Sequence, residues 1–345
     1  MDQACLHPLQ IGPLQLDNNL ALAPMAGTTD LSFRRICRRL GAGLTITELV
    51  SARGICHDPQ LRRNWRYLAI DPAEAPVAIQ LFGADPDDFR QAIGQILSHP
   101  ILGQCSLIDL NMGCPVAKVV KGGEGSALMR TPDLAARIIE ASVRAAASFG
   151  KPVTVKFRKG WDDQSVNAAA FARRCAEAGA AALTIHGRTR QQMYSGRADW
   201  QVIGEVKAAV RIPVYGNGDI DSPAAAARMI RETGVDGVMV GRAAQGDPWI
   251  FQRLAAALAD PAEFLPLPGP DEKIPVILAH LDGLIALNGE PVAVREMRKH
   301  LVFYLKGTRQ GASLKNRAMA AATRSEILAV LEEWRIYCKN YCENS

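Results

Sequence analysis

Leu107-Ile108-Asp109-Leu110-Asn111-Met112-Gly113-Cys114-Pro115 is a short apolar run that ends in a turn carrying a thiol. The run reads as a buried strand. Gly113 and Pro115 punctuate the turn and leave one cysteine between them. The strand fixes the base of that cysteine, and the loop leaves its tip free to act.

Seven further apolar runs lie on either side, at 20–23, 44–47, 77–81, 153–157, 182–185, 213–215 and 237–240. Longer amphipathic segments separate them, among them 30–40, 86–97, 132–147, 166–178 and 223–231. This alternation is the mark of repeated β-α units. Prolines near several helix starts fit the first-turn preference, and Gly41, Gly179 and Gly234 suit helix ends. Eight such units favour a (β/α)₈ TIM barrel over an open doubly wound sheet, and a barrel of this kind takes about 250 residues. The chain has 345. Pro266-Leu267-Pro268-Gly269-Pro270 reads as a linker, so residues 1–265 are expected to form the barrel and 266–345 a C-terminal helical domain. Helical patterns follow near 272–287, 291–306 and 320–338.

Composition narrows the class. With 48% hydrophobic residues the chain can bury a large core, yet no run approaches the roughly 18 apolar residues of a membrane span. Met1-Asp2-Gln3-Ala4-Cys5 lacks the basic and apolar regions of a signal peptide. Eight scattered cysteines contain no CxxC pair, which argues against a disulfide framework or a zinc finger and for a reducing, cytoplasmic setting. Cys338 and Cys342 are spaced to share a helix face, and read as thiols without metal partners. No membrane contact and no obligatory protein partner is indicated.

The residues just past the runs are polar or small: Pro24-Met25-Ala26-Gly27, Glu48, Gln80, Asn111 with Cys114, Lys156 with Arg158, His186-Gly187-Arg188, Asn217-Gly218-Asp219 and Gly241-Arg242. In a barrel these positions converge on one face, where active sites form. The seventh and eighth ends are where such barrels often hold a phosphate, through backbone N–H groups and a helix N-terminus. Gly241 permits close backbone approach and Arg242 can pair with the anion.

The chain resembles the tRNA-dihydrouridine synthase family, closest to its bacterial B-type branch. The resemblance runs from about Ile11 to about Phe251 and more weakly into the C-terminal helices. It rests on Ala23-Pro24-Met25-Ala26-Gly27, Asp109 to Pro115, Lys156-Phe157-Arg158-Lys159-Gly160-Trp161, Thr184 to Arg190, Asn217-Gly218-Asp219-Ile220, and Gly241 to Gly246, in that order and spacing. It implies bound FMN, NADPH as reductant, and reduction of particular uridines in tRNA. It also implies that Pro24, Met25 and Ala26 line the flavin, that Gln80 and Lys156 hydrogen-bond its rings, and that His186 lies beside them. Asn217, Gly218, Asp219, Gly241 and Arg242 would hold the ribityl phosphate end. Cys114 would be the proton donor.

The residue types suit that chemistry. Reducing the uracil C5–C6 bond needs a hydride at C6, which no side chain supplies, and a proton at C5. A thiol with a pKa near about 8.5 is mostly protonated at neutral pH and can donate. Asn111, Arg158 and Arg188 are further candidates to meet the RNA. From Arg295 to Arg324 eight cations, Arg309 among them, stand against Glu296, a net +7 beside +5 for the whole chain. Arg295, Arg298 and Lys299 are expected to share a helix face that meets the RNA backbone. Phe303 and Tyr304 are either stacking or core residues. Competing readings are a flavin reductase of a small pyrimidine or enone, dihydrouridine formation in ribosomal RNA, and RNA binding without turnover. The basic helices argue against the first, and the intact thiol and strand ends against the last.

Overall fold

The structure, a computed structural model, describes residues 5–308 and 311–342. Arg309 and the side chain of Cys342 lie outside the described residues. A two-stranded antiparallel hairpin comes first, β1 (Leu9–Ile11) and β2 (Leu14–Leu16). Nine short strands follow: β3 (Leu20–Leu22), β4 (Thr45–Ile46), β5 (Val50–Ser51), β6 (Val77–Phe82), β7 (Leu107–Met112), β8 (Val153–Arg158), β9 (Ala182–His186), β10 (Val214–Asn217) and β11 (Gly237–Val240). They pair in parallel in the order β3-β11-β10-β9-β8-β7-β6-β4, with β5 continuing beside β6. Leu22 N–H donates to the Leu44 carbonyl at 2.9 Å and Leu44 N–H to that of Leu20 at 3.1 Å. Those bonds join the two ends of the sheet and close an eight-stranded barrel. All eight apolar runs are its strands.

The hairpin is not among those runs, although Leu9-Gln10-Ile11-Gly12-Pro13-Leu14-Gln15-Leu16 alternates apolar and polar residues around a Gly-Pro turn. Its Leu9, Ile11 and Leu16 are buried in one cluster with Ala21, Ile46, Ala78, Leu107 and Met239 from the barrel strands. That plug seals the barrel at the end where the strands begin. The helices Leu31–Arg39, Pro86–Leu97, Pro132–Ala147, Ala168–Glu177 and Pro223–Thr233 lie within two residues of the predicted segments at each end. Trp200–Ala209 and Ile250–Ala259 complete the outer ring.

Four helices follow the barrel: Pro270–Asn288, Glu290–Tyr304, Ala312–Ala320 and Arg324–Cys342. The third is absent from the predicted patterns. They enclose their own apolar cluster, which includes Ile277, Leu281, Met297, Leu301, Leu331 and Trp334 and takes in Ile36, Leu40 and Trp249 from the barrel side. Cys338 packs against this cluster. No helix of the described residues is long and apolar enough to cross a membrane.

At the seam, Asp30 caps the helix Leu31–Arg39 by accepting from Phe33 N–H at 2.9 Å. Its other oxygen lies 3.2 Å from His280 Nε2 and 3.4 Å from His300 Nε2. His280 Nδ1 in turn meets the Tyr304 hydroxyl at 3.2 Å. Tyr304 is therefore core and not a surface for bases. The helical layer is thus tied to the barrel by both apolar packing and a buried polar clamp.

Candidate active site

The carboxyl ends of the strands open into a cavity of about 570 Å³. Its walls include Pro24, Met25, Ala26, Asn111, Cys114, Lys156, Arg158, His186, Asn217, Gly218, Asp219, Gly241 and Arg242. Thirteen of the strand-end candidates are thus brought together, each by the strand that precedes it.

Cys114 sits on a turn shaped from below. Asp109, buried in β7, accepts from Gln80 Nε2 at 2.6 Å and Thr154 Oγ1 at 2.5 Å. Gln80 Oε1 accepts from Asn111 Nδ2 at 2.8 Å. Asn111 Oδ1 then accepts from the backbone N–H groups of Gly113 and Cys114, at 3.2 and 2.9 Å. The Cys114 carbonyl is held by Ser126, through its N–H at 3.1 Å and its hydroxyl at 2.9 Å. The bonds that reach the turn itself, from Asn111 and Ser126, are made to its backbone atoms. Burial pushes the thiol pKa up, against the opposite pull of the Val116 backbone N–H, Arg158 and Lys156, so the sulfur keeps its proton at neutral pH.

Two candidates lie beneath the cavity and do not line it. Gln80 is fully buried, and both ends of its amide are spent on Asp109 and Asn111. Arg188 is also buried, gripping both oxygens of Asp219 at 2.8 Å and the carbonyls of Ser195 and Gly196. Both side chains support the wall from one layer down. Gln80 is drawn inward because buried Asp109 needs donors, and Arg188 because it pairs with the part-exposed Asp219.

Lys156 Nζ donates to Asn217 Oδ1 at 3.1 Å, across from β8 to β10. Burial, reinforced by Arg158, lowers its pKa from the usual 10.5 to about 8, so it remains mostly cationic at neutral pH. Arg158 donates to the carbonyls of Gly113, Thr189 and Met193 at 2.8–2.9 Å and so joins the thiol turn to the loop after β9. His186 is held neutral: burial lowers its pKa well below the usual value, and Lys156, Arg158, Arg188 and Arg242 act in the same direction. At the turn after β10, Gly218 has φ +123°, and a Cβ there would stand 2.6 Å from that of Ala198. Only glycine fits that crossing of chains.

Met193, Tyr194 and Asp221 are among the cavity residues with no counterpart among the predicted candidates. Tyr194 is 53% exposed, with the Arg242 guanidinium 4.9 Å and that of Arg158 5.9 Å from its ring centre. An aromatic within the polar stretch Gln191-Gln192-Met193-Tyr194-Ser195-Gly196, just after a strand end, was its sequence signal. Phe303 and Lys306 reach the same cavity from the helical layer.

A second cavity of about 520 Å³ lies at the seam and shares Ala26 and Leu49 with the first. Arg295 and Lys299 line it, and Lys299 Nζ lies 3.1 Å from Thr28 Oγ1. Arg298 lines neither cavity and donates instead to the Ala321 carbonyl at 2.8 Å. Of the three, Arg295 and Lys299 share this cavity and Arg298 turns toward the next helix. On a helix of 3.6 residues per turn, neighbours such as Arg298 and Lys299 point about 100° apart.

Comparison with known proteins places this arrangement. The dihydrouridine synthase (Dus) family matches residues 21–339. The chain is 43% identical over 329 residues to tRNA-dihydrouridine synthase B of Xanthomonas campestris pv. campestris, covering 94% of this chain and 95% of that one. It is 43% identical over 300 residues to tRNA-dihydrouridine synthase B of Pseudomonas aeruginosa, covering 86% of each. Among solved structures, a variant of NCR from Zymomonas mobilis shares the barrel fold, with a TM-score of 0.52 and 15% identity over 76% of this chain and 93% of that one. A match along 21–339 takes in the thiol turn, all eight strand ends and the helices that close over them, and on that span the chain belongs to the dihydrouridine synthase family.

Proposed function

We propose that this enzyme reduces the C5–C6 double bond of particular uridines in tRNA, with FMN as its flavin and NADPH as reductant. The observation that carries this reading is Cys114, a thiol kept protonated by burial on a turn held rigid from beneath, facing a cavity that also holds a cationic lysine. That is an acid beside a site for negative charge, as reduction of an enone needs.

The cavity suits a flavin mononucleotide. Its volume lies within the range of small-molecule sites. Pro24, Met25 and Met239 give it an apolar wall, Lys156 and Asn217 supply polar atoms, and Arg242 and Lys306 add cations to its lining. When bound and reduced, the flavin supplies the hydride to C6. Cys114 gives its proton to C5, and the thiolate left behind is stabilised by Arg158 and Lys156. Lys156 offsets negative charge that develops in the rings. Gln80 and Asn111 are positioning residues for the thiol turn, and Arg188 positions Asp219. Neutral His186 is a hydrogen-bonding wall and not a cation.

Residues 1–265 would carry the chemistry, and the helical region from 266 onward would hold the RNA through Arg295 and Lys299. A cytoplasmic setting accords with a tRNA substrate and eight cysteines. The test is to purify the protein with its flavin, reduce it with NADPH, and follow reoxidation by tRNA, by ribosomal RNA and by free uridine. Fast reoxidation by tRNA alone, with dihydrouridine missing at defined tRNA positions in cells lacking the gene, is the expected result. Equal reoxidation by free uridine would instead favour a small-molecule reductase.

A further inference from the structure

We propose that Lys306, contributed by the helical layer, is a second cation for the flavin phosphate, so that the cofactor site is completed by the same region that holds the RNA. This rests on the flavin reading above.

The charge at that end of the cavity does not balance with Arg242 alone. A phosphate monoester carries about −1.5 to −2 at neutral pH. Arg242 Nη2 lies 3.4 Å from Asp219, which also binds Arg188, and Asp221 adds another acid to the wall. The other cations of the cavity are committed: Lys156 to Asn217, and Arg158 to three carbonyls. Lys306 also lines this cavity, and its ammonium has no ion pair or hydrogen bond among the described residues.

Its place is fixed by an unusually close approach of two backbones. Gly246 ends the loop after β11 with φ +72°, and a Cβ on it would lie 2.2 Å from the Phe303 carbonyl carbon. The Arg242 loop therefore rests directly on the end of the helix Glu290–Tyr304, and Lys306 follows two residues beyond that helix. Thr28 fastens the same junction, receiving Gln245 Nε2 at 3.2 Å and Lys299 Nζ at 3.1 Å. A phosphate beside Arg242 thus has Lys306 as its near cation from across the seam.

The experiment titrates the deflavinated full-length chain with FMN and with riboflavin, following quenching of flavin fluorescence. Lys306→Ala should raise the FMN Kd about tenfold, the low end of a charge-assisted contact, and leave the riboflavin Kd unchanged. Lys306→Arg should restore FMN affinity, and tRNA affinity at saturating FMN should stay at the parent value. FMN affinity within twofold of the parent overturns the proposal. So does an equal loss for both flavins, which would mark a packing role, or a loss confined to tRNA, which would place Lys306 on the RNA surface. If the parent binds neither flavin, the flavin reading itself fails, and this assignment falls with it.

Discussion

Asn111 uses three hydrogen bonds to hold the turn that carries the Cys114 thiol. Cys114→Ala should therefore keep its flavin, because the turn is held through its backbone, yet lose about 10²–10⁴-fold in turnover, the usual share of a general acid. Single-turnover reduction of tRNA by the reduced variant measures this, and a near-parental rate would remove Cys114 from the reaction. Lys156 sets a pH limit. With its pKa lowered to about 8, it is charged below that value and loses its charge as pH rises through it. Flavin reduction by NADPH should slow above about pH 8, and Lys156→Ala should abolish that inflection, as stopped-flow absorbance across pH will show. At this scale the sequence names almost every wall of the cavity, because motifs record residue types at strand ends. It does not say which side chains turn inward. Gln80 sits behind the wall because buried Asp109 needs donors, and Arg188 because it grips Asp219, and both contacts exist only once the chain has closed on itself.

The elements show the same division between local and distant causes. Eight strands were legible because each is a short apolar run bounded by turn residues, a pattern that needs no partner to be seen. The helix Ala312–Ala320 was not, because its face is covered only by the helices on either side, and Leu314 and Ala318 are its only buried residues. The helix Glu290–Tyr304 carries the clearest test. Arg295 and Lys299 line the seam cavity, whereas Arg298 holds the end of the following helix. Replacing Arg295 and Lys299 with Ala together should raise the tRNA Kd and flatten its dependence on salt. Arg298→Ala should lower the melting temperature and leave the salt slope as it is. Filter binding over a salt series separates the two, and an unchanged slope in the double variant would move the RNA to another surface.

Over the whole molecule, barrel and helices share one buried seam, and its clamp responds to acid. Burial lowers the His300 pKa, with His280 adding to that and Asp30 opposing it, so the folded protein refuses a proton that the unfolded chain accepts below about pH 6.5. Stability should fall as pH drops from that point, and further below about pH 4, where Asp30 takes a proton in the unfolded chain but not in the folded one. Burial alone would raise the Asp30 pKa, but the two histidines outweigh it and lower it in the folded state. Melting curves from pH 8 to pH 5 should decline, and His300→Gln should flatten the decline between pH 6.5 and 5. An equal decline in the variant would assign it to other groups. The apolar part of the seam has a consequence for how the chain is made. Ile36, Leu40 and Trp249 lie in or at the ends of barrel helices that leave the ribosome first, but the residues that cover them reach as far as Trp334. At about 5–20 residues per second, a newly made barrel spends several seconds with that greasy flank uncovered. Until the last helix arrives, it is a client for chaperones.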